Sequence, residues 1–561
     1  MITRRRFIQS GAATSSLLAA PSTLSATTPK QKSPIGLNIL RHPDFVSARF
    51  AMKDVRSMQR QGETWTCDGA QMIATVEYVS GHQQLPVKVE STGGVTFLHL
   101  RWAGKTREDL FVLGDAWERS YGDLEWRTTA PDRIMPWYFL MTDLHRVVGY
   151  GLRVQPSAFC FWQRDAEGIS LTIDLRNGGN AADLRGRELH ACTVVTVEGE
   201  AGASVYEVTR QLCGMMCPKP RLPKTPLYGS NDWNYAYGKN TAEGILRDAD
   251  LIASLAPAGA ARPFTVIDDG YQDRSRFPDM TKLAADIRRQ NVQPGIWVRP
   301  LRPEGAVNEG LLLPPSRFGG AGHVSPGLDP TISEALELIL RPIKEARQWG
   351  YSLIKHDFST YELFGRWGFQ MQGMVTPAGW SFSDRSKTNA EIVVELYRSM
   401  REAAGDDAVI LGCNTVGHIA AGFFESQRIG DDTSGKEWER TRRFGVNTLS
   451  HRIGQHGTFF YVDPDIVAIT NQVEWKMTRQ WMDVVARSGT SFFLAPDPKA
   501  ITSEAKSAIR EAMALAASSK GGHPVAPTSS TTPNSWSFKT STKDMTYEWC
   551  SAEGVSPFLL Y

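Results

Sequence analysis

The stretch Tyr351-Ser352-Leu353-Ile354-Lys355-His356-Asp357-Phe358 decides how this chain is read. Gly350 closes a helical pattern, a short apolar pair follows, and then a cation and a carboxylate come close together. Side chains on a strand alternate with a period of two, so Lys355 and Asp357 share one face and His356 points the other way, to pack behind the strand. At the C-terminal end of a buried parallel strand, that face opens onto the rim where α/β folds keep their chemistry. Taken alone, Lys-x-Asp reads equally well as a structural ion pair at a strand end. The flanking sequence separates the two readings.

On either side, short buried-strand runs alternate with amphipathic helices. The strand runs fall at 227–233, 264–268, 295–298, 352–357, 408–414, 427–431, 458–462 and 490–495. Helical periodicity is clear at 241–255, 332–349, 389–404, 437–449 and 474–487, with a last helix at 502–517. Eight strands alternating with helices over 227–517 predict a (β/α)8 TIM barrel. A doubly wound open sheet is the runner-up, weakened because no Gly-rich phosphate turn follows the first strand. Before the barrel, residues 30–219 carry short alternating runs broken by Gly, Pro and Asp, for example 71–79, 86–89, 95–102, 170–175 and 192–197. They predict an antiparallel β-sandwich. Pro-rich residues 220–226 read as a stiff linker. Residues 518–561 read as a small C-terminal β region, with strands at 535–539 and 546–550.

Composition narrows the function. The chain has 561 residues and a net charge of +2 with the signs well mixed, which points to neither nucleic acid nor an acidic membrane face as partner. Aromatic residues make up 10%, including 16 Trp and 15 Tyr, a level that also suits sugar binding, where flat rings cover the apolar faces of pyranoses. The seven cysteines form no metal-ligand pattern; Cys213-x-x-x-Cys217 stands alone, and no metal is implied. Residues 1–26 join a basic head (Arg4-Arg5-Arg6) to a short apolar run ending in small residues, as an export signal does. The alternative, an uncleaved anchor, requires a longer apolar run than this one.

Polar residues gather at the predicted C-terminal strand ends. These are Asn231-Asp232-Trp233, Asp268-Asp269, Trp297 with Arg299, Lys355 with Asp357, Cys413-Asn414, Arg428 with Asp431-Asp432, Asp463 with Asp465, and Asp497. A single acid at a strand end usually caps the next helix, the role expected of Asp497 and of one of Asp463 and Asp465. Paired acids at two rims plus Lys-x-Asp at a third exceed what capping needs. Several carboxylates with Trp and Tyr, and with neither phosphate loop nor metal cluster, point to glycoside hydrolysis, in which two acids flank the scissile bond. His451 and His456 lack a ligand constellation and read as loop or capping residues; Asn414 and His418 sit near the fifth rim.

Four motifs, in order, resemble the α-galactosidase clan, glycoside hydrolase families 27 and 36. YGSNDWNYAYG (228–238) is similar to the clan's opening Gly-Trp-Asn strand, and FTVIDDGYQ (264–272) to its Asp-Asp turn. LIKHDF (353–358) is similar to its Lys-x-Asp nucleophile strand, and RIGDDTS (428–434) to its acid/base segment. Family 36 also places a large β-sandwich before the barrel. The Thr-Arg-Arg-x-Phe-Ile start resembles the twin-arginine export signal, which implies a periplasmic or secreted protein.

The clan resemblance implies a retaining α-glycosidase acting on terminal α-galactosides without a cofactor. Asp357 would be the nucleophile and Asp431 the acid/base, with Asp432 as the fallback, and the two carboxyls would lie roughly 5–5.5 Å apart. Lys355 would bind sugar hydroxyls and keep Asp357 ionised. Arg428 would contact the hydroxyl next to the anomeric carbon, Asp268 and Asp269 would accept from hydroxyls across the ring, and Trp233 would cover its apolar face. The chain departs from family 36 at Trp297-Val298-Arg299, where Arg299 stands in place of an acid. That opens a second reading, an α-glycosidase for an anionic or N-acetylated sugar. A third is a carbohydrate-binding barrel without turnover.

Overall fold

Alternation of apolar and polar residues builds the first part of the chain in the computed structural model, which describes residues 35–51, 53–320, 324–518 and 520–555. The predicted export signal lies outside these residues. Phe97–Ala103 turns Leu98, Leu100 and Trp102 inward and leaves the residues between them half-exposed, the pattern of a strand with one face on a core. It pairs antiparallel with Phe45–Ala51 and Gly168–Asp174 in a six-stranded sheet. A nine-stranded antiparallel sheet includes His82–Ser91, Tyr138–Thr142, Val147–Leu152 and Leu189–Glu198. Leu98, Leu100 and Ile173 of the first sheet share one apolar cluster with Val87, Phe139 and Val194 of the second. The helix Val205–Met216, which sequence periodicity had not singled out, follows; Ser204 and Glu207 cap its start reciprocally.

The second part is a curled parallel sheet of nine strands: β1 (Tyr228–Asn231), β2 (Phe264–Ile267), β3 (Gln293–Val298), β4 (Leu353–His356), β5 (Val409–Gly412), β6 (Ser426–Arg428), β7 (Tyr461–Asp463), β8 (Ile466–Ile469) and β9 (Phe492–Pro496). Their order, β7-β6-β5-β4-β3-β2-β1-β9-β8, follows the sequence, with β9 returning beside β1. It has no reversal of the kind that marks a doubly wound sheet. β1 to β6 and β9 fall within or beside the predicted runs, and long helices connect them, including Ala242–Leu255, Ser333–Trp349 and Asn389–Ala404.

Several expectations are corrected. The seventh run, 458–462, overlaps β7 alone, and an unpredicted strand, β8, follows after a break at Pro464, which lacks an N–H, and Asp465, which takes a left-handed conformation (φ 75°). Asp465 caps no helix: its carboxylate pairs with Arg428 at 2.7 Å and accepts the Thr433 N–H. Nor does Asp497, which accepts the Lys499 N–H, while Thr502 caps the helix Ser503–Ser518. The predicted helix 437–449 is an α-turn, a π-helical stretch Arg442–Asn447 and a further α-segment Thr448–Arg452. Met280–Arg289 is a helix that had not been predicted. At the C-terminus Ser535–Phe538 is a strand paired with Gly522–Pro524 and with Met545–Thr546, the latter shorter than the predicted run 546–550. His451 is buried within a helix rather than in a loop, whereas His456 is half-buried and caps the short 3-10 helix Ile453–Gln455, as a capping residue should. Cys213 and Cys217 are both unpaired and buried. Among the described residues no helix is long and apolar enough to cross a membrane.

Trp137 joins the two parts. Fully buried, it stacks on His418 beyond β5 (4.8 Å between centroids, 9° between planes), meets Trp117 edge-on and donates to the Trp117 carbonyl. Replacing it removes an aromatic side chain from a site that cannot collapse. Trp137→Ala is expected to cost about 3–5 kcal/mol, read as a lowered midpoint in thermal unfolding; an unchanged midpoint would contradict this packing role.

Candidate active site

The site grows from β4. Its neighbours β3 and β5 bring Trp297 and Leu411 level with Lys355. All four β4 residues are buried, and alternation divides them. His356 packs outward against Tyr397 and Phe424 and hydrogen-bonds Ser359. Lys355 points inward and donates from Nζ to Asp268 Oδ2 at 2.7 Å. Burial opposes a charged lysine, but the Asp268 carboxylate outweighs it and pushes Lys355 above its ordinary range. The ion pair of Lys355 is therefore with Asp268.

Asp357 follows the strand, and its own N–H donates to the Val298 carbonyl at 3.1 Å. Its Oδ1 accepts the backbone N–H of Phe358 (2.8 Å) and of Asn414 (3.1 Å), and its Oδ2 accepts the Trp297 indole N–H (3.1 Å). Three donors from three strand ends fix the orientation of this carboxylate. Phe358 holds a left-handed conformation (φ 64°), the kind of local strain that persists where the surroundings impose it.

Asp357 opens into a cavity of about 380 Å³. Of the residues singled out in the sequence, Trp233, Asp268, Asp269, Trp297, Arg299, Lys355, Asp431 and Asp432 line it too. Arg428 does not. It lies buried beneath, paired with Asp432 and with Asp465, each at 2.7 Å, so the expected sugar contact of Arg428 is replaced by a hold on Asp432. Burial would raise Asp432, but Arg428, Arg119, Lys355 and Arg440 together bring it well below the usual carboxylate range. Asp269 is raised, first by burial and then by the neighbouring Asp268. Arg299 donates to the buried Glu362 at 2.6 Å and lies over the Phe358 ring.

Sequence reading missed Arg119, Tyr121, Phe358, Trp367, Phe369 and Arg440. Arg119 and Tyr121 come from the antiparallel part of the chain. Their signal was Asp115-Ala116-Trp117-Glu118-Arg119-Ser120-Tyr121, a charged and aromatic run with no strand alternation. Arg119 forms an ion pair with Asp431 Oδ1 at 2.8 Å, and Arg440 donates to Asp431 Oδ2 at 3.3 Å. Burial opposes the charge on Arg119, yet Asp431, Tyr121 and Asp432 hold it well above its ordinary value. Among the described residues no group of three or more His, Cys, Asp or Glu has the arrangement of a metal site.

Below the cavity, Asp232 accepts the Asp268 N–H at 2.7 Å on Oδ1, while its buried Oδ2 has no partner. Burial, and then Asp268, push its carboxyl up to about 7. A raised acid keeps its proton in the folded state after the unfolded chain has lost it, so its contribution to stability falls as pH rises from about 4 to 7 and stays low above. The loss is worth at most about 4 kcal/mol. Asp232→Asn, which mimics the neutral acid, is expected to flatten the pH dependence of the unfolding midpoint over that window and to raise the midpoint at pH 8; a lower midpoint at pH 8 would contradict the upward shift of the Asp232 carboxyl.

No protein-family model matches the chain. Among solved structures, an α-galactosidase from Thermus thermophilus in complex with p-nitrophenyl α-D-galactopyranoside has a similar fold (TM-score 0.58), covering 84% of this chain and 99% of that one at 16% identity. A GH36 α-galactosidase from Geobacillus stearothermophilus gives a TM-score of 0.59 over 84% of this chain and 71% of that one at 14% identity. The α-galactosidase from Lactobacillus brevis gives 0.51 over 85% and 70% at 12% identity. At such identities the likeness is one of fold. The chain thus resembles the family 36 branch of the α-galactosidase clan in architecture as well as in its four motifs.

Proposed function

We propose that this chain is a retaining α-glycosidase that removes terminal α-galactosyl groups from oligosaccharides by double displacement. The observation that carries the reading is that Asp357 and Asp431, from beyond β4 and β6, open onto one cavity walled by Asp268, Asp269 and Trp233. In the first step Asp357 attacks the anomeric carbon, and the bond to the leaving oxygen breaks as Asp431 gives that oxygen a proton. In the second, Asp431 takes a proton from water, which attacks the same carbon and releases Asp357. The three donors to Asp357 hold the attacking group in place before substrate arrives, which lowers the ordering cost of the step. Asp268 and Asp269 accept from sugar hydroxyls, and Trp233 covers the apolar face. No cofactor takes part.

The fold of α-galactosidases solved with p-nitrophenyl α-D-galactopyranoside, stachyose and raffinose supports galactose as the sugar. A sugar with an anionic or N-acetyl group draws on Arg299 at the cavity wall; the pairing of Arg299 with Glu362 already answers its charge and ranks that reading second. The wider frame we propose is a β-sandwich at 30–219, a linker at 220–226, a complete (β/α)8 barrel at 227–517 with its seventh strand split into β7 and β8, and a C-terminal β region at 518–561. Residues 1–26 would direct export to the periplasm or beyond.

Hydrolysis of p-nitrophenyl α-galactoside by wild type and Asp357→Asn tests the reading. The variant is expected to lose at least ~10³-fold in kcat/KM, about 4 kcal/mol of transition-state stabilisation. Equal cleavage by both would remove Asp357 from the chemistry, and sugar binding with no turnover by either would favour the non-catalytic barrel.

A further inference from the structure

The segment Glu118–Tyr121 reaches both candidate carboxylates from outside the parallel sheet. Its backbone is joined to theirs: the Ser120 N–H donates to the Ile429 carbonyl (2.8 Å), and the Asp431 N–H donates back to the Ser120 carbonyl (3.0 Å). Gly430, between them, has its Cα so close to the Phe444 carbonyl that a Cβ would lie 2.1 Å from that oxygen. The backbone on which Asp431 stands is therefore fixed on both sides. From the same segment, the Arg119 guanidinium lies over the Tyr121 and Trp367 rings (5.6 and 5.8 Å to the centroids) and forms an ion pair with Asp431 Oδ1 at 2.8 Å. Its other terminal nitrogen lies 3.4 Å from Asp432 Oδ1. The Arg119 side chain is only 7% exposed, whereas that of Arg440, the second cation at Asp431, is 33% exposed and stands farther off.

Glu118 works in the other direction. It accepts the Asn414 side-chain N–H at 2.7 Å and the Gly368 N–H at 2.9 Å, and Tyr121 donates its hydroxyl to it. Asn414 in turn gives its backbone N–H to Asp357. One short segment thus touches Asp431 directly and Asp357 through a single intermediary.

We infer that Arg119 is a positioning residue for proton delivery: it aims the Asp431 carboxyl at the leaving oxygen, so the antiparallel part of the chain completes the active site. The inference rests on the acid/base role proposed for Asp431. A buried planar guanidinium lying over two rings, with one terminal nitrogen on Asp431 and the other near Asp432, holds the Asp431 carboxylate at a set distance in a way that a flexible surface cation does not.

Leaving-group dependence separates this role from a merely structural one. A dinitrophenyl α-galactoside departs without a proton, whereas methyl α-galactoside and raffinose need one. Arg119→Gln is expected to lower kcat/KM for methyl α-galactoside and raffinose by about 10²-fold and for the dinitrophenyl substrate by less than about a tenth of that loss. Arg119→Lys, which keeps the charge without the planar fork, is expected to fall between wild type and Arg119→Gln, and it serves as the readout should Arg119→Gln not fold. Asp431→Ala should give the same split, larger in size. Equal losses on the two kinds of substrate, or no loss on either, would overturn the positioning role of Arg119. Activity of wild type without a split in Asp431→Ala would overturn the acid/base assignment instead, and inactivity of wild type on every galactoside would overturn the proposed function together with this inference.

Discussion

The buried ion pair between Lys355 and Asp268 is the constraint around which the site is arranged. Both side chains are nearly inaccessible, and their 2.7 Å contact is supported by the Asn231 amide, which donates to the same Asp268 oxygen at 2.8 Å. Charges inside a protein are tolerated only with close partners and satisfied hydrogen bonds, and breaking such a pair costs far more than the pair itself contributes. Here the partners come from the ends of β1, β2 and β4, so their meeting fixes how those ends align. Asp357, two residues beyond Lys355, then emerges on the same inner face. A second buried cluster does the same for β6 to β8: Arg428 binds Asp432 and Asp465, and Asp465 can enter it only because the chain breaks between β7 and β8. The strained residue is held by the Thr433 N–H and by Arg428.

The antiparallel part is bound into this arrangement by charged contacts as well as by packing. Asp115 pairs with Arg452 at 2.7 Å, Asn177 donates to the Asp384 and Lys387 carbonyls, and Glu118, Arg119 and Ser120 reach the strand ends themselves. A cavity with carboxylates from β2, β4 and β6 on one side and Arg119 and Tyr121 on the other depends on both parts of the chain. Its cations are largely committed: Lys355 to Asp268, Arg299 to Glu362, and Arg119 to Asp431. Such a site is suited to a neutral, hydroxyl-rich ligand.

Most of the parallel strands were legible because they are short apolar runs ending in polar residues, and the run 353–358 placed Lys355 and Asp357 inward and His356 outward by alternation alone. The helix Met280–Arg289 carried a readable signal, Met280, Leu283, Ala284 and Ile287 on one face, diluted by its many charges. The break at Pro464-Asp465 was legible only as a proline. What local pattern does not encode is partnership across the fold. Lys355 meets Asp268, Arg299 meets Glu362, and Arg119 meets Asp431 over separations of tens to hundreds of residues. Local pattern therefore offered the strand-end carboxylates, Trp233, Trp297, Arg299 and Lys355, while the pairing that turns Arg428 away from the cavity and brings Arg119 into it came from the tertiary structure.

In the proposed reaction Asp357 carries the sugar between two displacements, and trapping that species puts the nucleophile to the test. A 5-fluoro-α-galactosyl fluoride has a departing group that needs little assistance and a ring that hydrolyses slowly once transferred, so the covalent enzyme accumulates. Mass spectrometry of the intact protein and then of its peptides is expected to find one added fluorogalactosyl group on Asp357. A label on another carboxylate, or α-galactoside turnover that releases an inverted sugar with no labelled protein, would contradict the account.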